Sequence, residues 1–137
     1  MVRIDITYEG KLRCRCTHEP SSTELVTDAP ADNQGLGASF SPTDLVATAL
    51  GSCIATTLGI VASRHELDLT GMRVSVQKTM VADPGRRIGK LTTVIHIPVD
   101  PGEESRGRLE AAAQHCPVHK SLGADVEAPI LFRWGRD

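Results

Sequence analysis

Cysteine carries the clearest chemical signal in this chain of 137 residues. Cys14 and Cys16 are separated by one residue, whereas Cys53 and Cys116 are isolated. Thiols act as redox centres, nucleophiles or metal ligands, and in a reducing compartment they do not form a disulfide framework. The N-terminal sequence MVRIDITYEG alternates apolar and polar residues instead of resembling a secretory signal, which predicts a strand and a cytoplasmic protein. We therefore expect the cysteines to serve chemistry or packing.

The sequence around Cys116, AAAQHCPVHKSL, predicts a break between two helices. The residue before a proline is disfavoured in α conformation, so a helix over 103–115 should end at Cys116. Pro117 suits the first position of a new short helix with Cys116 as its N-cap. A thiol at that position, beside His115 and near His119, is expected to ionise easily. The alternative is that Cys116 only fills the corner between the helices.

Cys53 lies in the middle of a segment, Leu45 to Ser63, that contains no charged side chain. The capping-box pattern SPTD predicts a helix that begins at Pro42, and basic residues favour an end near Arg64. The segment approaches the ~20 residues of a membrane span. However, seven of its residues are Gly, Ser or Thr, and no aromatic belt or basic flank surrounds it. The pattern therefore predicts a buried central helix rather than a membrane span.

At about 100° per residue, Cys53 shares a stripe of this helix with residues that are mostly apolar. The stripe contains Leu45, Ala49, Cys53, Thr56 and Ile60. Cys53 should therefore face apolar packing or an apolar pocket, and one interpretation is that it is simply a small buried hydrophobe. Because one short chain has few elements with which to surround such a helix, we expect a homodimer.

The remaining pattern predicts an α+β fold with mainly antiparallel sheets around the long central helix. Predicted strands cover 2–8, 11–18, 23–27, 72–82, 87–98 and about 126–133, and the first two are joined at Glu9-Gly10. A single domain is predicted over residues 1–137. The net charge of −2 and the content of only two Phe, one Trp and one Tyr argue against nucleic-acid and membrane partners.

Two motifs in this order resemble the OsmC/Ohr family of osmotically inducible and organic-hydroperoxide-resistance proteins. The first is the proline-started helix PTDLVATALGSC, and the second is CPVHKSL, with RRIGKLTTVIHIPV between them. The resemblance covers nearly the whole chain and is closest to the OsmC-like branch. It implies an intertwined homodimer with thiol peroxidase activity and no metal, flavin or haem cofactor.

By motif, the resemblance matches Cys53 to the peroxidatic cysteine and Cys116 to the resolving cysteine. It implies that Cys53 reduces a small organic hydroperoxide and becomes a sulfenic acid. Cys116 would then close a Cys53–Cys116 disulfide, which a dithiol reductant reopens. Cys14 and Cys16 match no cysteine motif of the family, so we expect them to be bystanders.

One departure from the family pattern concerns the cation that would stabilise a thiolate at Cys53. Family members with strong activity carry a glutamate directly after the helix-starting proline, where it orients an arginine. This chain has Thr43 at that position. Arg13 or Arg15 could supply the cation, but neither lies in a motif that selects it. Slow peroxidase activity is therefore as compatible with the sequence as vigorous activity.

Three alternative functions remain open at this point. An OsmC-like pocket could bind an apolar or acyl ligand without turnover. Cys14, Cys16 and His18 share a strand face and could hold zinc or copper, as could the cluster of His115, Cys116 and His119. A cysteine hydrolase with His115 or His119 as base is the third, although no oxyanion hole is visible.

Overall fold

The computed structural model describes residues 1–136 and contains strands and helices in the predicted order. The elements are β1 (Ile4–Gly10), β2 (Arg13–His18), β3 (Thr23–Asp28), α1 (Pro42–Arg64), β4 (Arg73–Val81), β5 (Arg87–Ile97), α2 (Glu103–Ala113), α3 (Pro117–Ser121) and β6 (Ile130–Trp134). This arrangement confirms the predicted α+β class. The backbone divides into two compact units, residues 1–46 and the part that begins at Ala47.

The first unit is built on an antiparallel sheet in which β2 lies between β1 and β3. The predicted turn at Glu9-Gly10 is displaced, because β1 continues to Gly10 and the chain reverses at Lys11 and Leu12. Both turn residues adopt positive φ angles, 55° and 65°. Neither is a residue type that favours this conformation, so the sequence carried no signal for the position of the turn.

One face of this first sheet is apolar and exposed. Ile6 on β1 and Leu25 on β3 both pair with Cys16 on β2, so the three side chains lie on the same face. Ile6 is 64% exposed and Leu25 is 44% exposed. In contrast, the buried residues of the first unit are polar: Thr27, Asp28 and Ser41. The first unit therefore has no apolar core formed by fully buried side chains.

The second unit contains a sheet of order β4-β5-β6 and a well-formed core. β4 and β5 form an antiparallel hairpin, whereas β6 lies parallel to β5. The core consists of Ala47, Leu50, Ile54, Leu58, Ala62, Leu69, Leu91, Ile95, Ile97, Leu109, Ala113 and Cys116. Alternate residues of β5 are fully buried, as the period of two predicts.

Helix α1 begins as its capping box predicts. The Ser41 hydroxyl accepts a hydrogen bond from the Asp44 N–H at 3.1 Å, and the Asp44 carboxylate accepts one from the Ser41 N–H at 2.9 Å. Further along, Gly51 allows α1 to approach β4 closely. A Cβ atom at Gly51 would lie 2.9 Å from Cγ2 of Val76, which is shorter than van der Waals contact.

The opposite side of α1, from Thr48 to Ser63, is exposed but carries no charge. We call it the uncharged face; its residues are Thr48, Ser52, Thr56, Gly59, Ile60 and Ser63. The hydroxyls of Ser52, Thr56 and Ser63 donate to carbonyls one turn earlier in the same helix, at 2.7, 2.8 and 3.1 Å. The uncharged face therefore offers methyl and methylene groups rather than unsatisfied donors.

By length and composition, α1 could cross a membrane, with a mean hydropathy of 1.9. A single such helix is weak evidence, because the core helix of a soluble protein meets the same criteria. The helix also contains many glycine, serine and threonine residues, which are less apolar than the residues typical of a membrane span.

Candidate active site

Cys116 occupies the junction that its proline neighbour predicts. Helix α2 ends at Ala113, and α3 begins at Pro117 with Cys116 as its N-cap. The Cys116 sulfur accepts a hydrogen bond from the His119 N–H at 3.2 Å, and the Val118 N–H is near enough to lower its pKa. The thiol is fully buried, with 0% exposure. The N-terminal turn of α3 therefore donates a backbone N–H to a sulfur that solvent does not reach.

Cys53 lies beside Cys116 in the fold, although 63 positions separate the two residues in the sequence. The two thiols lie close enough for Cys53 to raise the pKa of Cys116. Cys53 is half-buried on α1, in contrast to the fully buried Cys116. The structure thus brings together the two cysteines that the family resemblance singles out, and both are free thiols.

Cys116 holds its proton more firmly than the local sequence predicts. Burial raises the pKa of the Cys116 thiol above its ordinary value, and the hydrogen bond and negative charge of Cys53 raise it further. The N–H groups of His119 and Val118 oppose this effect but do not reverse it. The expectation that Cys116 ionises easily is therefore wrong, because desolvation outweighs the helix N-terminus.

The predicted apolar stripe of Cys53 is only partly covered by the chain. Leu45, Ala49 and Cys53 are half-buried, whereas Thr56 and Ile60 are exposed. The fully buried side of α1 is a neighbouring stripe that contains Leu50, Ile54 and Leu58. One chain thus covers one side of the helix, and Cys53 lies at the border between the covered side and the uncharged face.

Cys14 and Cys16 do not form a metal site in the described part of the chain. Their side chains share one face of β2 with His18, as predicted, and both are half-buried free thiols. Nδ1 of His18 lies 2.6 Å from the Ser21 hydroxyl. Among residues 1–136, no group of three or more His, Cys, Asp or Glu side chains is arranged to hold a metal ion.

The two arginines of β2 differ in their partners. Arg15 contacts the carboxylates of Glu9 at 3.2 Å and Glu24 at 3.1 Å, and these hydrogen bonds raise the pKa of its guanidinium. Arg13 lies 3.8 Å from Asp28, a longer ion pair. Arg15 is therefore held by two carboxylates, whereas Arg13 is held loosely by one.

Asp28 is a polar residue that the sequence did not single out. It is 1% exposed, and its Oδ2 accepts a hydrogen bond from the Ala38 N–H at 3.0 Å. Its Oδ1 has no hydrogen-bond partner within residues 1–136 and faces Arg13. The pairing of Asp28 with Arg13 across β2 and β3 was the only available signal, and it requires knowledge of the register.

Comparison with known proteins identifies related sequences and folds. A protein-family model described as OsmC-like protein matches residues 34–129. No curated protein sequence matches this chain significantly.

Solved structures give a similar result. A crystal structure from Psychrobacter arcticus, of a protein provisionally described as an osmotic stress induced and detoxification response protein, is 39% identical. The match covers 97% of this chain and 96% of that one, with a TM-score of 0.92. The organic hydroperoxide resistance protein OsmC from Legionella pneumophila is 17% identical, with a TM-score of 0.79 and 96% coverage of both chains. The organic hydroperoxide resistance protein OhrB of Bacillus subtilis is 18% identical, with a TM-score of 0.68 and coverage of 97% and 98%.

Proposed function

Because the chain belongs to the OsmC-like family, we propose that it is a thiol-dependent peroxidase that reduces organic hydroperoxides through Cys53 and Cys116. The contact between the two thiols carries this proposal, since a peroxidatic cysteine needs a second thiol within reach. Names of relatives that refer to organic hydroperoxide resistance and detoxification support the same class of substrate. These relatives also favour a redox role in the stress response.

In the first step, the Cys53 thiolate attacks the distal oxygen of the hydroperoxide. The O–O bond breaks, the alkoxide takes up a proton from water and leaves as an alcohol, and Cys53 becomes a sulfenic acid. Sulfur is oxidised by two electrons, and the peroxide is reduced by the same two. Cys116 keeps its proton in this step, because burial and the neighbouring Cys53 raise its pKa.

In the second step, the Cys116 sulfur attacks the Cys53 sulfenic acid. A Cys53–Cys116 disulfide forms and hydroxide leaves, which the Cys116 proton converts to water. A dithiol reductant then restores both thiols by exchange and is itself oxidised to a disulfide. The fully buried position of Cys116 keeps this second sulfur away from peroxide and directs it to Cys53.

We also propose a homodimer as the working assembly. The uncharged face of α1 and the apolar face of the first sheet are both exposed in one chain. Exposed apolar surface of this extent is typical of interaction sites. The hydroxyls of Ser52, Thr56 and Ser63 bond within their own helix, so a second copy could cover them without leaving these donors unpaired.

The roles of the two cysteines are tested with single variants that receive one equivalent of an alkyl hydroperoxide. We expect Cys116→Ser to consume the peroxide once and to accumulate a sulfenic acid on Cys53, which dimedone traps for mass spectrometry. Cys53→Ser should be inert, because it lacks the attacking sulfur. A dimedone adduct on Cys116 in Cys53→Ser, formed as fast as the wild-type reaction, would reverse the roles.

A second candidate, an apolar or acyl ligand-binding protein with little turnover, is favoured by one observation. Thr43 stands where active family members carry an arginine-orienting glutamate, and its hydroxyl lies 3.2 Å from that of Ser41. Asp44, the neighbouring carboxylate, serves as the cap partner of Ser41. Stopped-flow oxidation with hydrogen peroxide and an alkyl hydroperoxide separates the two functions, since the ligand-binding protein would consume neither.

A further inference from the structure

We propose that the reductant attacks the sulfur of Cys53, and not that of Cys116, when the Cys53–Cys116 disulfide is opened. The mixed disulfide then forms on α1, and Cys116 is released as a thiolate at the N-terminus of α3. This inference rests on the proposed peroxidase function, because it concerns the disulfide that the reaction produces. It identifies the sulfur that the reductant must reach.

Access is the first argument. Thiol–disulfide exchange requires the attacking thiolate to approach one sulfur in line with the S–S bond, so an enclosed sulfur is protected. Cys116 is fully buried at the junction of α2 and α3, whereas Cys53 is half-buried at the border of the uncharged face. Cys116 is enclosed by its own chain, which no assembly of subunits can undo, whereas Cys53 is the sulfur that the hydroperoxide must itself reach in the proposed reaction.

The environment of the leaving sulfur is the second argument. The N–H groups of His119 and Val118 donate to the Cys116 sulfur and lower its pKa, in opposition to burial and to Cys53. While Cys53 is bonded to another sulfur, it bears no negative charge, so its contribution disappears and the two N–H donors face less opposition. A leaving thiolate that backbone donors stabilise departs faster.

The exchange balances in atoms and electrons. A reductant thiolate forms a bond to the Cys53 sulfur as the Cys53–Cys116 bond breaks, and the electron pair of that bond stays on Cys116. The second thiol of a dithiol reductant then attacks the reductant sulfur that is bonded to Cys53 in the mixed disulfide. Cys53 leaves as a thiolate, and the reductant becomes a cyclic disulfide, so two electrons reach the protein in total.

The test begins from a disulfide made without peroxide. Protein with Cys14→Ser and Cys16→Ser, and wild type in parallel, is oxidised with one equivalent of diamide, which closes Cys53 to Cys116. Glutathione is then added, exchange is stopped with acid, and peptide mass spectrometry locates the attached glutathione. We expect it on Cys53. Glutathione on Cys116, equal labelling of both, or failure of diamide to close this disulfide would overturn the inference.

A second measurement covers the case in which Cys116 recloses the disulfide too quickly for the mixed form to accumulate. Cys53→Ser and Cys116→Ser are each prepared in the same double-serine background, so that one site thiol remains. We expect an aryl disulfide reagent to label Cys53 at least about tenfold faster than Cys116. Equal rates contradict the inference. Selective labelling of Cys53 in a protein that consumes no peroxide would retain the inference and refute the peroxidase function.

Discussion

At the scale of single residues, the proposed reaction depends on which sulfur keeps its proton. Cys116 is buried and lies beside Cys53, and both conditions raise its pKa. The attacking role then falls to Cys53, and Cys116 must lose its proton only when it closes the disulfide. The rate of disulfide closure should therefore depend on pH.

We expect disulfide closure in the wild-type protein to accelerate by about tenfold per pH unit from about pH 7 to about pH 9. The reason is that a thiol with a raised pKa is largely protonated at neutral pH, and its thiolate fraction increases as pH rises. Acid quenching at successive times, followed by mass spectrometry of the Cys53–Cys116 disulfide, measures the rate. A plateau near neutral pH would indicate that Cys116 is already ionised there.

The two arginines of β2 provide a second residue-scale prediction. Arg15 is engaged by Glu9 and Glu24, whereas Arg13 has a single, longer ion pair, so our hypothesis is that Arg13 and not Arg15 supports the Cys53 thiolate. We expect Arg13→Gln to slow sulfenic acid formation by about tenfold or more, and the matched Arg15→Gln variant to change it by less than about twofold. Dimedone labelling gives both rates.

Circular dichroism on both arginine variants verifies the fold, because Arg13→Gln also leaves Asp28 without its ion pair. An effect of Arg15→Gln that equals or exceeds that of Arg13→Gln would assign the cation differently.

At the scale of elements, the two sides of α1 have different surroundings. Its buried side packs against β4 so closely that Gly51 has no room for a side chain. Its uncharged face keeps its hydroxyls within the helix. The close approach to β4 requires a small residue on the buried side, and the hydroxyls bonded within the helix leave the other side uncharged. These two features explain the Gly, Ser and Thr content of this long helix.

Gly51→Ala should lower the free energy of unfolding by about 1–3 kcal/mol, because the added methyl group would lie 2.9 Å from Cγ2 of Val76. Gly107→Ala on α2 is the matched control, since a Cβ there meets nothing within 4 Å. It should raise stability by up to about 1 kcal/mol through helix propensity. Urea unfolding measures both. A neutral or stabilising Gly51→Ala would show that the contact is not tight.

The sequence predicted the elements better than their contacts. The cap of α1 at Pro42 and the helix break at Cys116 follow from local rules, and both are confirmed. The last strand, predicted over about 126–133, begins at Ile130, although Glu127 already bridges to Lys90. The raised pKa of Cys116 could not be predicted, because burial depends on tertiary packing rather than on neighbouring residues.

At the scale of the whole molecule, the exposed apolar surfaces are the features that one chain does not explain. Ile6 and Tyr8 of the first sheet are more than 60% exposed, and Ile60 on α1 is 50% exposed. Only a small part of such surface is normally left to solvent in a monomer. The proposed homodimer gives these side chains a partner.

We expect the wild-type protein to be a dimer at micromolar concentration by light scattering, and Thr56→Arg to dissociate it by placing a charge on the uncharged face. Ala111→Arg, on the exposed side of α2, is the control and should leave the dimer intact. A stable, folded wild-type monomer would contradict the assembly. A dimeric Thr56→Arg would show that another surface holds the subunits together.

The hydroxyls of α1 that bond within their own helix also determine how the proposed dimer should respond to salt and temperature. A contact made of methyl and methylene groups has no charges for added salt to screen, so its dissociation constant should change little with ionic strength. Its formation should instead show a negative heat-capacity change, the mark of apolar surface leaving water. Low temperature would then weaken the dimer more than high salt concentration does, and refrigerated storage would be the harsher condition for this protein.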